Sequence, residues 1–425
     1  MDATPPVPLA ALVGLDWGTE HHAIALQASG STTVEAVQLD HTPEAIVAWL
    51  RTLAQRFGGA KIGVALETSR GPIVHALLEA PFVVLYPVNP RSLCRFRETF
   101  TPSGAKDDAP DARLLLRLLL RLLTHHRDRL PPWTPDDTAT RTLARLVQQR
   151  RAVVDQRTQV TQRLRAALQE YYPLALTVTG DDLSAPMACA FLLRWPTLAA
   201  LQRARPATVR AFYTTHHGRS AVRIAARLAA IATAQPLTTD PAIIDPTALY
   251  VQVLVRQLQA VHPGLVQLET TIAATFAAHP EAALFAALPG AGAAFAPRLL
   301  VAFGTDRTRF PTAADVQRAA GIAPITIRSG KSGHTHRRWA ASNFLRQTFH
   351  EFAQYSLPQV AWARAFYHVQ RQRGKSHHTA IRSLAFKWIR ILWRCWHDHT
   401  PYDDARYVRA LTERHSPLST HLAAA

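Results

Sequence analysis

Three aspartates fall within five residues in Ala105–Ala112, AKDDAPDA, directly before a leucine-rich run. Acids at a helix start are ordinary, because the free N–H groups and the macrodipole there favour negative charge. That alone accounts for Asp107, Asp108 and Asp111 as capping residues. Asp108 and Asp111 are also three apart, so on a helix their carboxylates share one face. Two carboxylates held together repel unless a cation sits between them, and Mg²⁺, a hard cation with oxygen ligands, fits that role. Two more acids join the pattern: Asp16 closes the apolar run ALVGLD, and Glu67 closes KIGVALE. Both runs read as buried strands, and ligands of open α/β sheets gather at the carboxyl ends of strands. Asp16, Glu67, Asp108 and Asp111 together make a four-carboxylate set able to hold two Mg²⁺ for phosphodiester chemistry. Singly, each acid reads as a turn or cap.

A second group lies far downstream. Ser329 sits in Ala320–Ser332, AGIAPITIRSGKS, among Arg328, Lys331, Arg337 and Arg338. A serine on a flexible, cation-rich turn is either a phosphate contact or a nucleophile whose attack on phosphate the cations assist. Upstream of it, Leu288–Gly292 (LPGAG) resembles the turn of a helix–hairpin–helix, with Gly290 and Gly292 letting backbone N–H groups meet a phosphate. Thr140–Leu168 carries seven arginines outside its apolar stripe, Arg150 and Arg157 among them. They form either a solvated face or, alternatively, a coiled coil or nucleic-acid-gripping arm. The histidine pairs His334/His336, His377/His378 and His397/His399 have no cysteine at ligand spacing, so a zinc site is not expected.

The elements that must position these residues follow from the pattern. Residues 1–130 read as three strands and then alternating helix and strand, a mixed sheet covered by helices. Thr42 and Pro43 open its first helix. Residues 131–280 read as a helical connector, with a second long helix kinked or restarted at Pro263. Residues 281–400 form a mostly helical third region and 401–425 a tail. The fold class is therefore α/β plus α. A net charge of +18, carried mainly by arginine, points to nucleic acid, although an Arg-rich genome would also produce a basic chain. Three scattered cysteines exclude a disulfide framework. No signal peptide or membrane-length apolar stretch is evident, so a soluble, cytoplasmic protein is expected.

Laid out in order, Asp16 in GLDWG, Glu67 in ALETSRG, Lys106, Asp108, Asp111 and Ala112 in KDDAPDA, LPGAG, and Ser329–Gly330 make a chain that resembles the DEDD transposases of bacterial insertion sequences. This group is also described as bridge-RNA-guided serine recombinases. The likeness runs over nearly the whole chain and is weakest at 172–245. Two departures stand out: Gly18, Thr19 and Glu20 replace a lysine often seen after the first acid, and Asp107 is a second acid beside Asp108, able to compete as ligand. The resemblance implies a RuvC-like N-terminal domain whose acids bind two Mg²⁺ and a C-terminal domain whose Ser329 forms a covalent phosphoserine link with DNA. It also implies a site shared between protomers of a tetramer (a dimer of dimers), double-stranded DNA as element ends and target, a structured guide RNA, and a nucleoid-associated place in the bacterial cytoplasm. Two rivals remain: a RuvC-like branched-DNA nuclease with water as nucleophile, and a non-catalytic basic protein whose acids only cap helices.

Overall fold

The runs that end on Asp16 and Glu67 become neighbouring parallel strands. In the computed structural model, which describes residues 8–100, 108–126, 130–216, 220–329, 332–336, 338 and 341–418, the chain divides into two compact units, Met1–Pro135 and Asp136–Ala425. The first contains β1 (Ala11–Asp16), β2 (His21–Ala28), β3 (Glu35–Asp40), β4 (Ile62–Leu66) and β5 (Val83–Pro87), in the order β3-β2-β1-β4-β5. β1 to β3 form an antiparallel meander, and β4 and β5 add in parallel. Strand alternation divides the side chains between two layers. Val13, Leu15 and Val64 pack on one side with α1 (Pro43–Arg56) and α2 (Pro72–Leu78). Ala65 and Tyr86 pack on the other with α3 (Pro90–Glu98) and α4 (Asp108–His125).

Local signals explain the starts of these helices. Thr42 caps α1 by accepting a hydrogen bond from the Ala45 N–H at 3.2 Å, and Pro43 follows it. The sequence pattern does not mark α3, because PRSLCRFRE buries only Leu93. Asn89 nonetheless caps it, accepting from the Arg91 N–H at 2.9 Å, with Pro90 next in the chain. In α4 the arginines at 113 and 117 are exposed, while Leu115, Leu116 and Leu119 are buried.

The second unit is built on two long helices, α5 (Thr138–Tyr171) and, after five shorter ones, α11 (Pro241–Ala277). They run antiparallel: Leu143 and Val147 share a core with Ile272, whereas Leu164 and Leu168 share another with Val251 and Leu258. Along α11 the inward positions Val251, Leu254, Leu258, Val261, Leu265, Leu268 and Ile272 alternate steps of three and four residues, the spacing of a seam between paired helices. Its counterpart on α5 runs through Leu143, Val147, Val154, Leu164 and Leu168 and includes Arg150 and Arg157, both half-buried. These two arginines therefore lie on the seam and not outside it. Of the kink or restart expected at Pro263, the restart does not occur. Both Pro246 and Pro263 sit inside one continuous α11, with Pro263 on an exposed position. There the lost hydrogen bond meets water while the opposite face stays paired.

The five helices between them, α6 (Leu174–Val178), α7 (Pro186–Arg194), α8 (Leu198–Gln202), α9 (Pro206–Thr215) and α10 (Ala221–Thr233), enclose the core at one end of the pair, with Phe191, Phe212 and Tyr213 buried. At the other end α12 (Ala282–Ala286), α13 (Gly292–Phe303), α14 (Ala313–Ala319), α15 (Asn343–Tyr355), α16 (Ala361–Gln372) and α17 (His377–His397) surround Trp362, Trp388 and Trp396. The expected tail is partly built in: α18 (Asp404–Glu413) places Leu411 in this core, and Leu418 follows. Between α14 and α15 lies a hairpin of β6 (Ile325–Ser329) and β7 (Ser332–His336).

Candidate active site

Asp16 is the last residue of β1, and Glu67 follows the last residue of β4. The register pairs Leu15 with Leu66, so the two acids stand side by side at the carboxyl edge of the sheet, both half-buried. Asp16 is two residues from Gly14 and therefore on the same face of β1. That face is where α4 arrives. A Cβ at Gly14 would lie 2.0 Å from the Ala112 carbonyl oxygen and 2.5 Å from the Leu116 nitrogen, so only glycine lets α4 approach so closely. This contact seats the first turn of α4, which begins at Asp108, beside the end of β1.

Asp111 is also in that turn, but it is occupied. Its carboxylate is 3% exposed and accepts from Arg97 twice, Nε to Oδ1 at 2.9 Å and Nη2 to Oδ2 at 2.7 Å. A bidentate, largely dry pair of this kind neutralises the charge that a metal would otherwise meet. The donor set on this face, carboxylate oxygens from Asp16 and Glu67 with α4 starting at Asp108, suits a hard divalent cation. Among the described residues no cluster of three or more potential ligands is preformed. Arg97 is the functional neighbour that the sequence pattern missed. Nothing in the spacing of the basic α3 residues points fourteen positions ahead to Asp111. Lys106 and Asp107 lie outside the described residues.

Behind Asp16, His22 is fully buried in β2. Its Nδ1 accepts from the Gly18 N–H at 3.2 Å, and its Nε2 meets Nδ1 of His41 at 2.8 Å. Burial, then the neighbouring His41 and His21, hold its pKa below the usual histidine value. A neutral imidazole thus braces the turn that follows Asp16, where the resembling family often has a lysine.

In the second unit Ser329 ends β6, opposite Ser332 of β7, so it stands at the end of the hairpin's paired strands. Arg328 is exposed beside it. Arg338 has a buried Nε with no hydrogen-bond partner among the described residues. Gly330, Lys331 and Arg337 fall outside them. In LPGAG, Gly290 has φ +76°, and a Cβ there would meet the Tyr355 carbonyl oxygen at 3.0 Å, so close approach to the end of α15 is one reason for this glycine. Gly292, with φ +50°, starts α13. Arg150 donates from Nε to Glu269 at 3.0 Å, and so is tied across the helix pair. Arg157 is half-buried on the same seam. The structure therefore gathers Asp16, Glu67 and the start of α4 in one unit and the serine hairpin and glycine turn in the other.

Comparison with known proteins covers both regions. A family described as "Transposase" (the DEDD type of IS110 elements) matches residues 13–173, which include all four acids. A second, described as "Transposase IS116/IS110/IS902 family", matches 282–368, which include the glycine turn and the serine hairpin. The chain is 28% identical to the mini-circle putative transposase for IS117 of Streptomyces coelicolor, over 95% of this chain and 98% of that protein. It is 29% identical to an uncharacterised 43.6 kDa protein of insertion element IS110 from the same species, over 92% and 95%. A putative transposase of Sinorhizobium fredii is 31% identical over 48% of this chain and 56% of its own. With both characteristic regions present in order, this chain belongs to the DEDD-type insertion-sequence transposases of the IS110 family.

Proposed function

We propose that the protein moves an insertion element by cutting DNA, holding the cut end on Ser329 and rejoining it. The observation that carries the reading is the seating of Asp16, Glu67 and the α4 start at one sheet edge of a family member whose other matched region holds a serine in a basic hairpin. The serine oxygen attacks phosphorus and forms a phosphoserine ester, while the deoxyribose oxygen leaves with a proton. Attack by another DNA hydroxyl on that ester reverses the step. Bond energy is conserved, so rejoining needs no external energy source. Arg328, Lys331, Arg337 and Arg338 lie close in sequence to the serine and would offset the charge that develops on the phosphoryl oxygens.

Asp16, Glu67, Asp108 and Asp111 would hold divalent metal, Mg²⁺ by the hardness of its ligands. When bound, the metal supplies stabilisation of the attacking and leaving oxygens. The sheet supports this as a RuvC-like domain: a meander, a central first strand and two parallel additions put both strand-end acids together. The antiparallel α5–α11 pair supports the coiled-coil connector. Gly290 and Gly292 in the α12–α13 turn, with Arg157, are proposed phosphate contacts, whereas Arg150 is held by Glu269 across the helix pair. Double-stranded DNA is the substrate, a structured RNA the guide, and a tetramer the working form, with the acids and the serine drawn from different protomers.

The test is trapping on labelled DNA carrying element ends. Wild-type protein is expected to leave a covalent protein–DNA species that Ser329→Ala lacks while still binding DNA. A species that survives in Ser329→Ala overturns the serine assignment. Mg²⁺-dependent cleavage with no covalent species in either protein would favour hydrolysis by water.

A further inference from the structure

The base of the serine hairpin opens on a cavity of about 680 Å³. One part of its wall is apolar: Ile322, Pro324, Phe366 and Phe386. The rest is hydroxyl and cationic, with Arg373, Lys375, Thr379, Arg382 and Ser383 from the junction of α16 and α17, and Thr335 and His336 from β7. Gly374 turns this junction with φ +78°, and Ser376 then caps α17, so the free N–H groups of a 21-residue helix open towards the same junction.

No acid lines the cavity, and the surrounding sequence explains why. From Val316 to His397 the chain contains one carboxylate side chain, Glu351. That carboxylate is committed elsewhere: Oε1 accepts from Arg151 at 3.2 Å, and Oε2 from Arg298 at 2.7 Å. Among the described residues no ion pair includes Arg373 or Lys375. The pKa of His350 is pushed down to about 4 by burial and by His378, Arg382 and His377. Arg373 and Lys375, in a wall that carries no acid and beside aromatic side chains, are complementary to an anion with an apolar body.

We propose that this cavity seats one nucleotide of an unpaired nucleic-acid strand, its phosphate on Arg373 and Lys375 and its sugar and base against Phe366 and Phe386. The volume exceeds what a lone phosphate fills and falls within the range of small-ligand pockets. Aromatic faces accept any base by stacking, while arginine and lysine hold the backbone. The hairpin register sets the site one hairpin length from Ser329. Ile325 and His336 pair at the base and Ser329 and Ser332 at the tip, a span of four residues or about 13 Å. A nucleotide drawn out of the stack at the base of the hairpin would keep the strand from re-pairing while its neighbour is worked on. The proposal rests on the functional reading above only in taking nucleic acid as the partner.

The test is equilibrium binding by the full-length protein with Ser329→Ala as background, so that cleavage plays no part. The probes are a blunt DNA duplex, the same duplex with a six-base single-stranded extension, and a single-stranded RNA of equal length. Wild-type cavity residues are expected to favour the extended duplex over the blunt one about tenfold. Arg373→Ala with Lys375→Ala should abolish that preference and lower the magnitude of the salt slope by roughly 0.7, one phosphate contact on a single strand. Phe386→Ala should reduce the preference without changing the slope. If the loss appears on RNA and not on the DNA extension, the occupant is an RNA strand. Equal weakening on all three probes, or none, overturns the cavity as a nucleotide site and leaves those cations as general surface charge. Loss of the covalent species in Ser329→Ala is a separate readout, so the two readings can fail independently.

Discussion

Asp111 has two claims on it. The sequence pattern makes it a metal ligand with Asp108; the structure gives both of its oxygens to Arg97. Removing one partner of a pair this dry leaves a buried charge without compensation, at a cost of about 3–5 kcal/mol. Arg97→Met is therefore expected to lower the melting temperature strongly in chelator. If the carboxylate also serves a divalent ion, millimolar Mg²⁺ should recover part of that loss, because a ligand bound only by the folded state stabilises it. Recovery no greater than that of wild type would assign Asp111 to holding α3 on α4. The acids themselves were legible because runs such as ALVGLD and KIGVALE end on them. Arg97 was not, since an ion pair between two helices leaves no period in the sequence.

At the level of elements, Gly14 decides where α4 can lie. It sits in a strand, where glycine is otherwise unfavourable, and its hydrogen lies against the backbone around Ala112 and Leu116. Gly14→Ala would force helix and strand apart and carry the start of α4 away from Asp16. We expect a loss of about 1–3 kcal/mol or more together with a larger fall in DNA cleavage, checked by thermal melting and by turnover of element-end DNA. Cleavage unchanged at a temperature where the variant stays folded would show that the α4 start need not be so close. The strands and α1 were readable from short apolar runs and capping residues. The continuity of α11 was not, because a proline predicts a break locally while a paired face several residues away prevents it. The β6–β7 hairpin was likewise read only as a turn, since ITIRS and SGHTH carry too few buried apolar residues to signal strands.

At the level of the whole chain, each unit has cores of its own. Calorimetry is expected to resolve two unfolding transitions, and Gly14→Ala should move only the one that belongs to residues 1–135. A single transition displaced as a whole would mean that the units unfold together. The composition conveyed the broad partner class, since a charge of +18 is a property of the summed sequence. The way that charge is placed was not conveyed: Arg150 is neutralised across a seam, whereas no ion pair among the described residues includes Arg373 or Lys375. The paired helices also act as a spacer of fixed length. Val147 belongs to one core and Val160 to the other, and the thirteen-residue step between them rises about 20 Å along a helix. That is the rise of roughly six base pairs of duplex at 3.4 Å each. The distance between the cores is thus written as a residue count, adjustable only in whole seven-residue repeats inserted in both helices at once, which makes this stretch a ruler built into the chain.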